Sequence, residues 1–353
     1  MTQPSDEPTQ PPRRRRYAGK NPRRFQDRYK ELAPENHPGI IEHVRARGRT
    51  PAGAHVPILV AEVLACLAPR AGETFVDCTV GFGGHAIEFL RRLAPGGRLI
   101  GFDVDQAQLQ RTGERLAEAG FTPSLHHGNF AGLAKAVARE APEGVDAVFA
   151  DLGVSSMQLD DPARGFSYKE DGPLDMRMDA RRKDTAADLL AKLSGEELSD
   201  ALRDLADEED HERIARGIEQ ARSRKRLGRT QELVDVVFAA KGITRKQWKD
   251  RAPGKALHPA ARTFLALRIL VNDELATLRE LLRSAPWCLR AGGRIALLTF
   301  HSGEDRLVKH AFEEGLLQGL YREISPEVIR ATNEEIRSNP RASSAKLRWA
   351  IKP

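Results

Sequence analysis

Cysteine is scarce in this sequence. Its 353 residues include three cysteines, Cys66, Cys78 and Cys288, which lie far apart and form no CxxC pair or other metal-ligand pattern. Their number and spacing argue against a disulfide framework and against a structural zinc site. We therefore expect no bound metal, and we expect each cysteine to be a small apolar side chain in the core.

Long hydrophobic runs are also missing. Hydrophobic residues make up 40% of the chain, yet no apolar stretch reaches the roughly 18 residues expected of a membrane-spanning helix. The polar N-terminus lacks the apolar segment of a signal peptide. We expect a cytoplasmic protein, and its length favours either one large domain with an insertion or two domains.

The positive charge is concentrated near the N-terminus. The formal net charge is +6, and residues 1–50 hold 12 Lys or Arg against 6 Asp or Glu, so the rest of the chain is neutral overall. Few apolar residues accompany these charges, which predicts a disordered basic extension over 1–50 that attracts polyanions. The alternative is a solvated tail with no dedicated partner, and charge alone does not separate the two.

From His55 onward, short apolar runs alternate with amphipathic stretches, which is typical of β-α units around a mostly parallel sheet. Strands are predicted at 74–80, 98–104, 124–127, 145–152, 294–300 and 346–352, and helices at 58–67, 106–119, 133–139 and 260–282. The rhythm stops over 158–255, where apolar residues recur at helical spacing. We therefore predict an α/β domain in two parts, 51–157 and 256–353, interrupted by a helical insertion.

A glycine-rich turn, Gly81-Phe82-Gly83-Gly84-His85, follows the first predicted strand and opens a helix. In this context glycine permits a tight turn and close backbone approach, while the helix N-terminus offers N–H groups to a ligand. The turn therefore indicates a nucleotide-like cofactor, although it could also serve only to join strand to helix.

Two acids help to identify that cofactor. Asp103 ends the second predicted strand, where a carboxylate can accept the hydroxyls of an adenosine ribose, in either NAD or S-adenosylmethionine. Asp77 precedes the glycines, where it would repel a pyrophosphate and attract a sulfonium with an α-amino group. The turn also has only part of the dinucleotide pattern, so the sequence favours S-adenosylmethionine.

The fourth predicted strand ends in Asp151-Leu152-Gly153-Val154-Ser155-Ser156-Met157-Gln158. This puts Asp151 at the edge where doubly wound sheets bind ligands, although an Asp here could equally cap a turn or helix.

Several longer motifs resemble one family, the bacterial small-subunit (16S) ribosomal RNA cytosine-N4 methyltransferases of the MraW type. The resemblance covers about His55 to the C-terminus. Its motifs are His55-Val56-Pro57, Gly83-Gly84-His85, Asp151 to Ser156, Gln158-Leu159-Asp160, Arg164 to Ser167, Asp171 to Asp179, His258-Pro259-Ala260, Arg262-Thr263-Phe264, His301-Ser302 and Glu304-Asp305-Arg306.

The resemblance implies a class I, Rossmann-like methyltransferase fold with an inserted substrate-recognition domain. It implies methyl transfer from S-adenosylmethionine to the N4 amine of a cytosine in the decoding centre (P site) of 16S rRNA within the small ribosomal subunit. The implied cofactor-binding residues are Gly83, Gly84, His85, Asp103, Phe130, Asp151 and Gln158.

Roles on the acceptor side are hypotheses. We expect Asp151, Ser155 and Ser156 to line the methyl-transfer site. Asp175 and Arg177 would shape an RNA pocket or else form an internal salt bridge. His301 would stack on a splayed base or else cap the following helix.

A basic cluster from Arg222 to Arg229, together with Arg245, Lys246, Lys249 and Arg251, is expected to contact phosphates, with a solvated helix face as the alternative.

Two departures from the family pattern stand out. Gly303 replaces a leucine after His301-Ser302, and Asp207-Glu208-Glu209-Asp210 replaces a Gly-Glu-Glu-Arg or Lys motif. The second change removes a positive charge from the insertion, which Arg213 or Arg216 would have to supply.

Two other functions compete with methyl transfer. One is a noncatalytic ribosome-assembly factor that binds S-adenosylmethionine, which the intact acids Asp103 and Asp151 disfavour. The other is a nicotinamide-dependent oxidoreductase, which the composition of the turn disfavours.

Overall fold

The computed structural model describes residues 57–250 and 257–353 and is built on one seven-stranded sheet in the order β3-β2-β1-β4-β5-β7-β6. The strands are β1 Thr74–Asp77, β2 Arg98–Asp103, β3 Ser124–His127, β4 Val145–Asp151, β5 Leu289–Thr299, β6 Glu323–Ile324 and β7 Lys346–Ile351. Strands β1 to β5 pair in parallel, and β7 is antiparallel to β5 and β6. The predicted Rossmann-like α/β sheet is confirmed. Its strand order reverses between β1 and β4, where doubly wound sheets bind ligands.

The helices account for most of the remaining regular structure. In chain order they are α1 Val60–Leu67, α2 Gly84–Leu93, α3 Gln106–Glu118, α4 Leu133–Glu140, α5 Ser156–Asp160, α6 Ala186–Lys192, α7 Gly195–Ala206, α8 His211–Arg224, α9 Thr230–Ala240, α10 Arg245–Lys249, α11 Ala261–Asn272, α12 Glu274–Cys288, α13 Ser302–Leu317 and α14 Asn333–Ser338. Within the described ranges, no helix is long and apolar enough to cross a membrane. The predicted basic extension at 1–50, with His55, Val56 and Arg251, lies outside the described residues.

Apolar side chains cover both faces of the sheet. Alternate residues of a strand point to opposite faces, and the strands divide their side chains between two buried clusters accordingly. Val76, Val148 and Ile295 belong to one cluster, whereas Phe75 and Phe149 belong to the other. A sheet buried on both faces can present polar groups to a ligand only at its ends, so this burial fixes where a site can form.

The segment predicted as an insertion, 158–255, contributes to an apolar cluster. The helical spacing in the sequence marks Leu198, Leu202, Leu205, Ile214 and Ile218 as apolar positions. Leu205 is partly buried against the cluster, and the other four side chains are at most 2% exposed. Phe264 of α11 joins the same cluster, so a helix from beyond the insertion completes its core.

The predicted single helix over 260–282 is wrong. Two helices, α11 and α12, occupy this stretch, and Asp273 separates them with left-handed backbone angles of φ 55° and ψ 40°. The second helix then runs on to Cys288. The apolar spacing continues across the break, so periodicity alone does not reveal it.

Asn272 holds this break in place. Its Nδ2 donates to the carbonyls of Met176 (2.7 Å) and Arg268 (2.9 Å), and its Oδ1 accepts the N–H of Met178 (2.7 Å). Arg182 donates to the carbonyl of Asn272 at 2.5 Å. The backbone groups of Met176 and Met178 therefore stabilise the junction between α11 and α12.

The two departures from the family pattern meet in space. Asp207, at the end of α7, has a left-handed φ of 51°, and its carboxylate accepts hydrogen bonds from Ser302 (2.8 Å) and Arg306 (2.9 and 3.0 Å). Gly303 lies between these two donors, and a Cβ there would approach the His301 ring at 3.2 Å. The altered residues thus belong to one contact between the insertion and α13.

We predict that Asn272→Ala destabilises the protein by roughly 2–4 kcal/mol, because it leaves the buried Met176 carbonyl and Met178 N–H without partners. Urea unfolding followed by circular dichroism measures this change. Asn333→Ala, at an exposed position on α14, is the matched control and should stay within about 0.5 kcal/mol of the wild type. A loss of unfolding free energy in Asn272→Ala no larger than that of the control would contradict this structural role of Asn272.

Candidate functional site

A cavity of about 540 Å³ lies at the carboxyl ends of β1, β2 and β4, a size that suits a small-molecule cofactor. Six of the seven predicted cofactor-binding residues line it: Gly84, His85, Asp103, Phe130, Asp151 and Gln158. Gly83 is the exception. The spatial convergence of residues so far apart in sequence follows from parallel strands ending at the same edge of the sheet.

Gly83 shapes the turn behind the cavity wall. It is the N-cap of α2 with a φ of 71°, and a Cβ there would lie 2.9 Å from Thr112 Cγ2. Gly81 contributes its backbone: its N–H donates to Asp103 at 2.8 Å, and its carbonyl accepts from the Thr112 hydroxyl at 2.6 Å. These two hydrogen bonds attach the glycine turn to Asp103 of β2 and to Thr112 of α3.

Asp103 is oriented before any ligand binds. One carboxylate oxygen accepts the Gly81 N–H and the other accepts the Asp105 N–H, both at 2.8 Å. Burial raises the pKa of Asp103 to about 6, although these backbone N–H groups oppose the shift. A carboxylate has about four acceptor positions, so Asp103 can still receive ribose hydroxyls in the cavity.

Two further acids end β1 and β4: Asp77, which is 1% exposed, and Asp151, whose side chain is 29% exposed. Burial raises the pKa of Asp151 to about 8, with added repulsion from Asp77 and Glu304. Burial likewise raises the pKa of Asp77 to about 7. Oδ2 of Asp77 has no hydrogen-bond partner among the described residues, and Asp77 lies just behind the cavity wall that Cys78 lines. Because the pKa of each acid is raised, a cation bound nearby would favour their ionised forms.

His85 joins the turn to Asp151. Its Nε2 lies 3.0 Å from the Ile58 carbonyl oxygen, an arrangement in which Nε2 carries the proton. That tautomer leaves Nδ1 as an acceptor, 3.8 Å from Oδ2 of Asp151. The side chain of His85 therefore faces the acid at the end of β4.

Ser155 and Gln158 form a capping box at the start of α5. The Ser155 hydroxyl accepts the Gln158 N–H at 3.2 Å, and Gln158 Oε1 accepts the Ser155 N–H at 3.0 Å. Both residues line the cavity, so the cap presents polar groups to a ligand while it starts the helix. The side chain of Ser156 is outside the described part of the structure.

The structure does not bring Asp175 and Arg177 into the cavity. They form a two-point salt bridge, with Nε to Oδ1 and Nη2 to Oδ2 both at 2.8 Å. Burial alone would raise the pKa of Asp175, but the hydrogen bonds from Arg177 outweigh it and lower that pKa. Arg177 also donates to the Arg182 carbonyl at 2.8 Å. Of the two alternatives for this pair, the internal salt bridge is the one observed.

His301 occupies the helix-capping position, the second of its two alternatives. Its Nδ1 accepts the Glu304 N–H at 3.4 Å at the start of α13, its side chain is 10% exposed, and it does not line the cavity. A ring held in this way against the helix has little surface to offer a stacked base.

The sequence prediction gave no site role to several charged residues that line the cavity: Asp179, Arg181, Arg182, Arg268, Glu274, Glu304 and Arg341. Arg268 lies on α11, Glu274 on α12 and Glu304 on α13. Nε and Nη2 of Arg268 donate to the Glu274 carboxylate at 2.9 and 2.8 Å. Glu304 accepts the backbone N–H groups of Phe300 (2.9 Å) and His301 (3.3 Å). The available signal was a charged residue, Arg268, within an otherwise apolar helical run.

Most of the predicted phosphate-binding cluster is engaged within the insertion. Lys225 pairs with Glu232 at 2.7 Å, Arg226 pairs with Asp188 at 2.7 Å, and both basic side chains are more than 60% exposed. Arg213 and Arg216, the suggested replacements for the missing charge, pair with Asp210 (3.2 Å) and Glu212 (3.6 Å). Exposed pairs of this kind exchange partners easily, so the pairing leaves phosphate contacts open.

The donor set of the cavity fits a cationic, adenosine-bearing ligand. Asp103 offers acceptors for hydroxyl groups, Phe130 and Val104 offer an apolar wall, and the buried acids favour a positive charge. Within the described residues, no group of His, Cys, Asp and Glu side chains could hold a metal ion.

Comparisons with known proteins agree with this geometry. The chain is 42% identical over 344 residues to "Ribosomal RNA small subunit methyltransferase H 1" of Agathobacter rectalis, covering 96% of this chain and 97% of that protein. It is 43% identical over 345 residues to "Ribosomal RNA small subunit methyltransferase H 2" of Alkaliphilus metalliredigens, with the same two coverages. A solved structure of fibrillarin from Aeropyrum pernix with bound S-adenosyl-L-methionine is 12% identical, covering 82% of this chain and 74% of fibrillarin, with a TM-score of 0.36. That likeness is too low to support an argument. The model of the MraW methylase family matches residues 52–353, and the chain belongs to that family.

Proposed function

We propose that this protein transfers a methyl group from S-adenosylmethionine to the N4 amine of a cytosine in the decoding centre of 16S rRNA. The observation that carries the proposal is the cavity at the switch point of the sheet, lined by Asp103 and Asp151 and backed by Asp77. Membership of the MraW methylase family and relatives named as small-subunit rRNA methyltransferases support the reaction and the RNA substrate.

The cofactor half of the cavity extends from β2 to the glycine turn. Asp103 is the acceptor for the ribose hydroxyls, Phe130 packs beside the adenine, and Gly84 presents the N-terminus of α2 to the carboxylate of the methionine part. S-adenosylmethionine supplies a methyl group on a sulfonium cation when it is bound. Asp151 and Asp77 provide the negative field that favours this cation.

On the acceptor side, the residues must hold an amine opposite the departing sulfur. Positioning supplies most of the acceleration in an in-line displacement. The N4 lone pair of cytosine is delocalised into the ring, so an acceptor for its hydrogens helps the nitrogen to pyramidalise. Asp151, which lines the cavity, is that acceptor, and with a pKa near neutrality it can also receive the proton that N4 loses.

The charged interior also separates this function from its rivals. A dinucleotide would bring its pyrophosphate into the cavity that Asp151 lines, where the ionised form of Asp151 would repel it. A noncatalytic assembly factor would have no use for an acid that can accept the N4 proton. Methyl transfer therefore gives the cavity acids a role that neither the oxidoreductase nor the noncatalytic assembly factor would give them.

The substrate we propose is rRNA within the small subunit, which places the reaction in the cytoplasm. The insertion at 158–255 would be the substrate-recognition domain, because its exposed arginines and lysines can exchange their carboxylate partners for phosphates. The basic extension at 1–50 would add nonspecific attraction to RNA.

The direct test incubates the protein with labelled S-adenosylmethionine and small subunits that lack the modification, and then maps the methylated nucleotide. The proposal predicts label on the N4 amine of one decoding-centre cytosine. Label on a ring carbon would overturn the assignment to N4, and no incorporation would favour the assembly-factor alternative.

Asp151→Asn tests the acceptor role. Asparagine keeps an acceptor oxygen but cannot take the N4 proton, so we predict a loss of about 10²–10⁴-fold in the rate at saturating cofactor. The matched control is Asp146→Asn at the opposite end of the same strand, where Asp146 accepts the Thr74 N–H outside the cavity. Rates of single-turnover transfer that are equal in the two variants would remove Asp151 from the reaction.

The buried acids predict that cofactor affinity rises with pH. Burial raises the pKa of Asp103, Asp77 and Asp151 to about 6, 7 and 8, so these carboxyls retain protons that exposed ones would have lost. A bound cation favours their ionised forms, so binding releases protons and strengthens as pH increases from 6 to 8. Isothermal titration across this range measures the effect.

S-adenosylhomocysteine, whose thioether carries no charge, is the control ligand for this titration. Its affinity should depend less on pH than that of S-adenosylmethionine. An affinity for S-adenosylmethionine that stays constant or falls with increasing pH would contradict the predicted charge coupling.

A further inference from the structure

Arg268 is a nearly buried cation in the wall of the cavity. Its side chain is 14% exposed, and its partner Glu274 is 12% exposed. Burial would lower the pKa of Arg268, but Glu274 and Glu304 outweigh it and raise that pKa further, so the guanidinium stays charged. An ion pair this far from water is costly to bury, and replacing such pairs by apolar residues often does not destabilise a protein. Stability alone therefore does not account for the pair.

Part of the guanidinium remains available for binding. Nε and Nη2 are used by Glu274, whereas Nη1 has no hydrogen-bond partner within the described ranges. Nη1 is not fully buried, and the Arg268 side chain lines the cavity. Glu274 thus fixes the plane of the guanidinium and leaves one nitrogen, with two N–H groups, for a ligand.

The backbone holds Arg268 at a fixed position. Its carbonyl accepts from Asn272 Nδ2 at 2.9 Å, and the left-handed turn at Asp273 brings Glu274 to face it from the next helix. Because both helix ends are anchored to the Met176 loop through Asn272, the pair has little freedom to move. Rigid placement of this kind is required for a group that reads a substrate.

Arg268 and Asp151 line the same cavity, together with Glu304 and Phe300, which follows β5. A donor and an acceptor are therefore available near the place where the reacting base must enter.

This combination is complementary to the Watson–Crick edge of cytosine. That edge presents the N4 hydrogens, which need an acceptor, beside N3 and O2, which need donors. Uracil presents the opposite groups at positions 4 and 3. Enzymes that act on an extruded base commonly read it through this edge.

We propose that Arg268, held by Glu274, is the residue that selects cytosine: Nη1 donates to N3 or O2 of the base while Asp151 accepts from N4. This inference rests on the proposed function and adds a specificity determinant to it. The geometry leaves two other roles for Arg268 to be separated by experiment, namely a contact to the cofactor carboxylate and a purely structural pair.

The experiment compares Arg268→Lys with the wild type. Lysine retains the charge and can pair with Glu274, but it cannot hold that carboxylate bidentately and donate to a base in a fixed plane. The matched control is Arg283→Lys, because Arg283 makes the same bidentate contact with Glu280 on α12, where it is 73% exposed and outside the cavity. Thermal unfolding and cofactor titration are recorded for all three proteins.

Each protein is then given small subunits reconstituted with cytidine or 3-deazacytidine at the target position. The analogue keeps the N4 amine but has a C–H in place of N3. The wild type should methylate the analogue about 10- to 100-fold more slowly, the value of a hydrogen bond to a charged donor. Arg268→Lys should lose a similar factor on cytidine and show little further loss on the analogue, while cofactor affinity and unfolding temperature stay near the wild type.

Other results would overturn the inference. Losses from the variant and the analogue that multiply would mean that Arg268 does not contact N3. Position 2 is then tested in the same way with 2-thiocytidine, whose sulfur is a weaker hydrogen-bond acceptor than O2. Independent losses for both analogues would exclude base reading. A weakened cofactor affinity would assign Arg268 to the cofactor carboxylate, and a lowered unfolding temperature with unchanged base discrimination would make the pair structural. Failure of the wild type to methylate cytidine would instead refute the proposed function.

Discussion

The desolvation of three carboxyl groups at the switch point of the sheet is the constraint on which the site depends. Asp77, Asp103 and Asp151 end β1, β2 and β4, and burial raises the pKa of each of them. The apolar cover on both faces of the sheet limits the water around these groups, so a cationic ligand favours their ionised forms. The burial that disfavours ionised carboxylates in the empty site also favours the binding of a cation, which stabilises them.

The rest of the structure keeps that charge in place. The glycine turn is bonded to Asp103 through the Gly81 N–H, so a local backbone conformation and a charged side chain fix one another. On the opposite wall, Asn272 ties the end of α11 to the Met176 loop. The helical insertion is therefore joined to the cavity by hydrogen bonds as well as by the chain connections, and the acceptor half of the site is built at that junction.

Six of the seven residues expected to bind the cofactor line the cavity, because their placement depends on local signals. A strand, a glycine turn and a helix are adjacent in the chain, and Asp103 and Asp151 are identified by ending buried strands. The acceptor half is different. Arg268 and Glu274 meet only because Asp273 turns left-handed, and nothing in the apolar periodicity marks that residue.

The motif around Asp175 and Arg177 shows the opposite situation. It is conspicuous in sequence, but its charged side chains pair with one another, and its backbone supports the α11–α12 break. A distinctive motif can therefore act through its backbone groups, which sequence reasoning about side-chain chemistry does not address.

The central claim is that Asp151 is a buried acid whose ionisation is controlled by the cofactor. Infrared difference spectra between the wild type and Asp151→Asn, recorded at pH 7 with and without S-adenosylmethionine, measure its protonation state directly. The account predicts a protonated carboxyl band for Asp151 in the free protein and its loss on binding. An ionised Asp151 in both states, with no change when the cofactor binds, would contradict it.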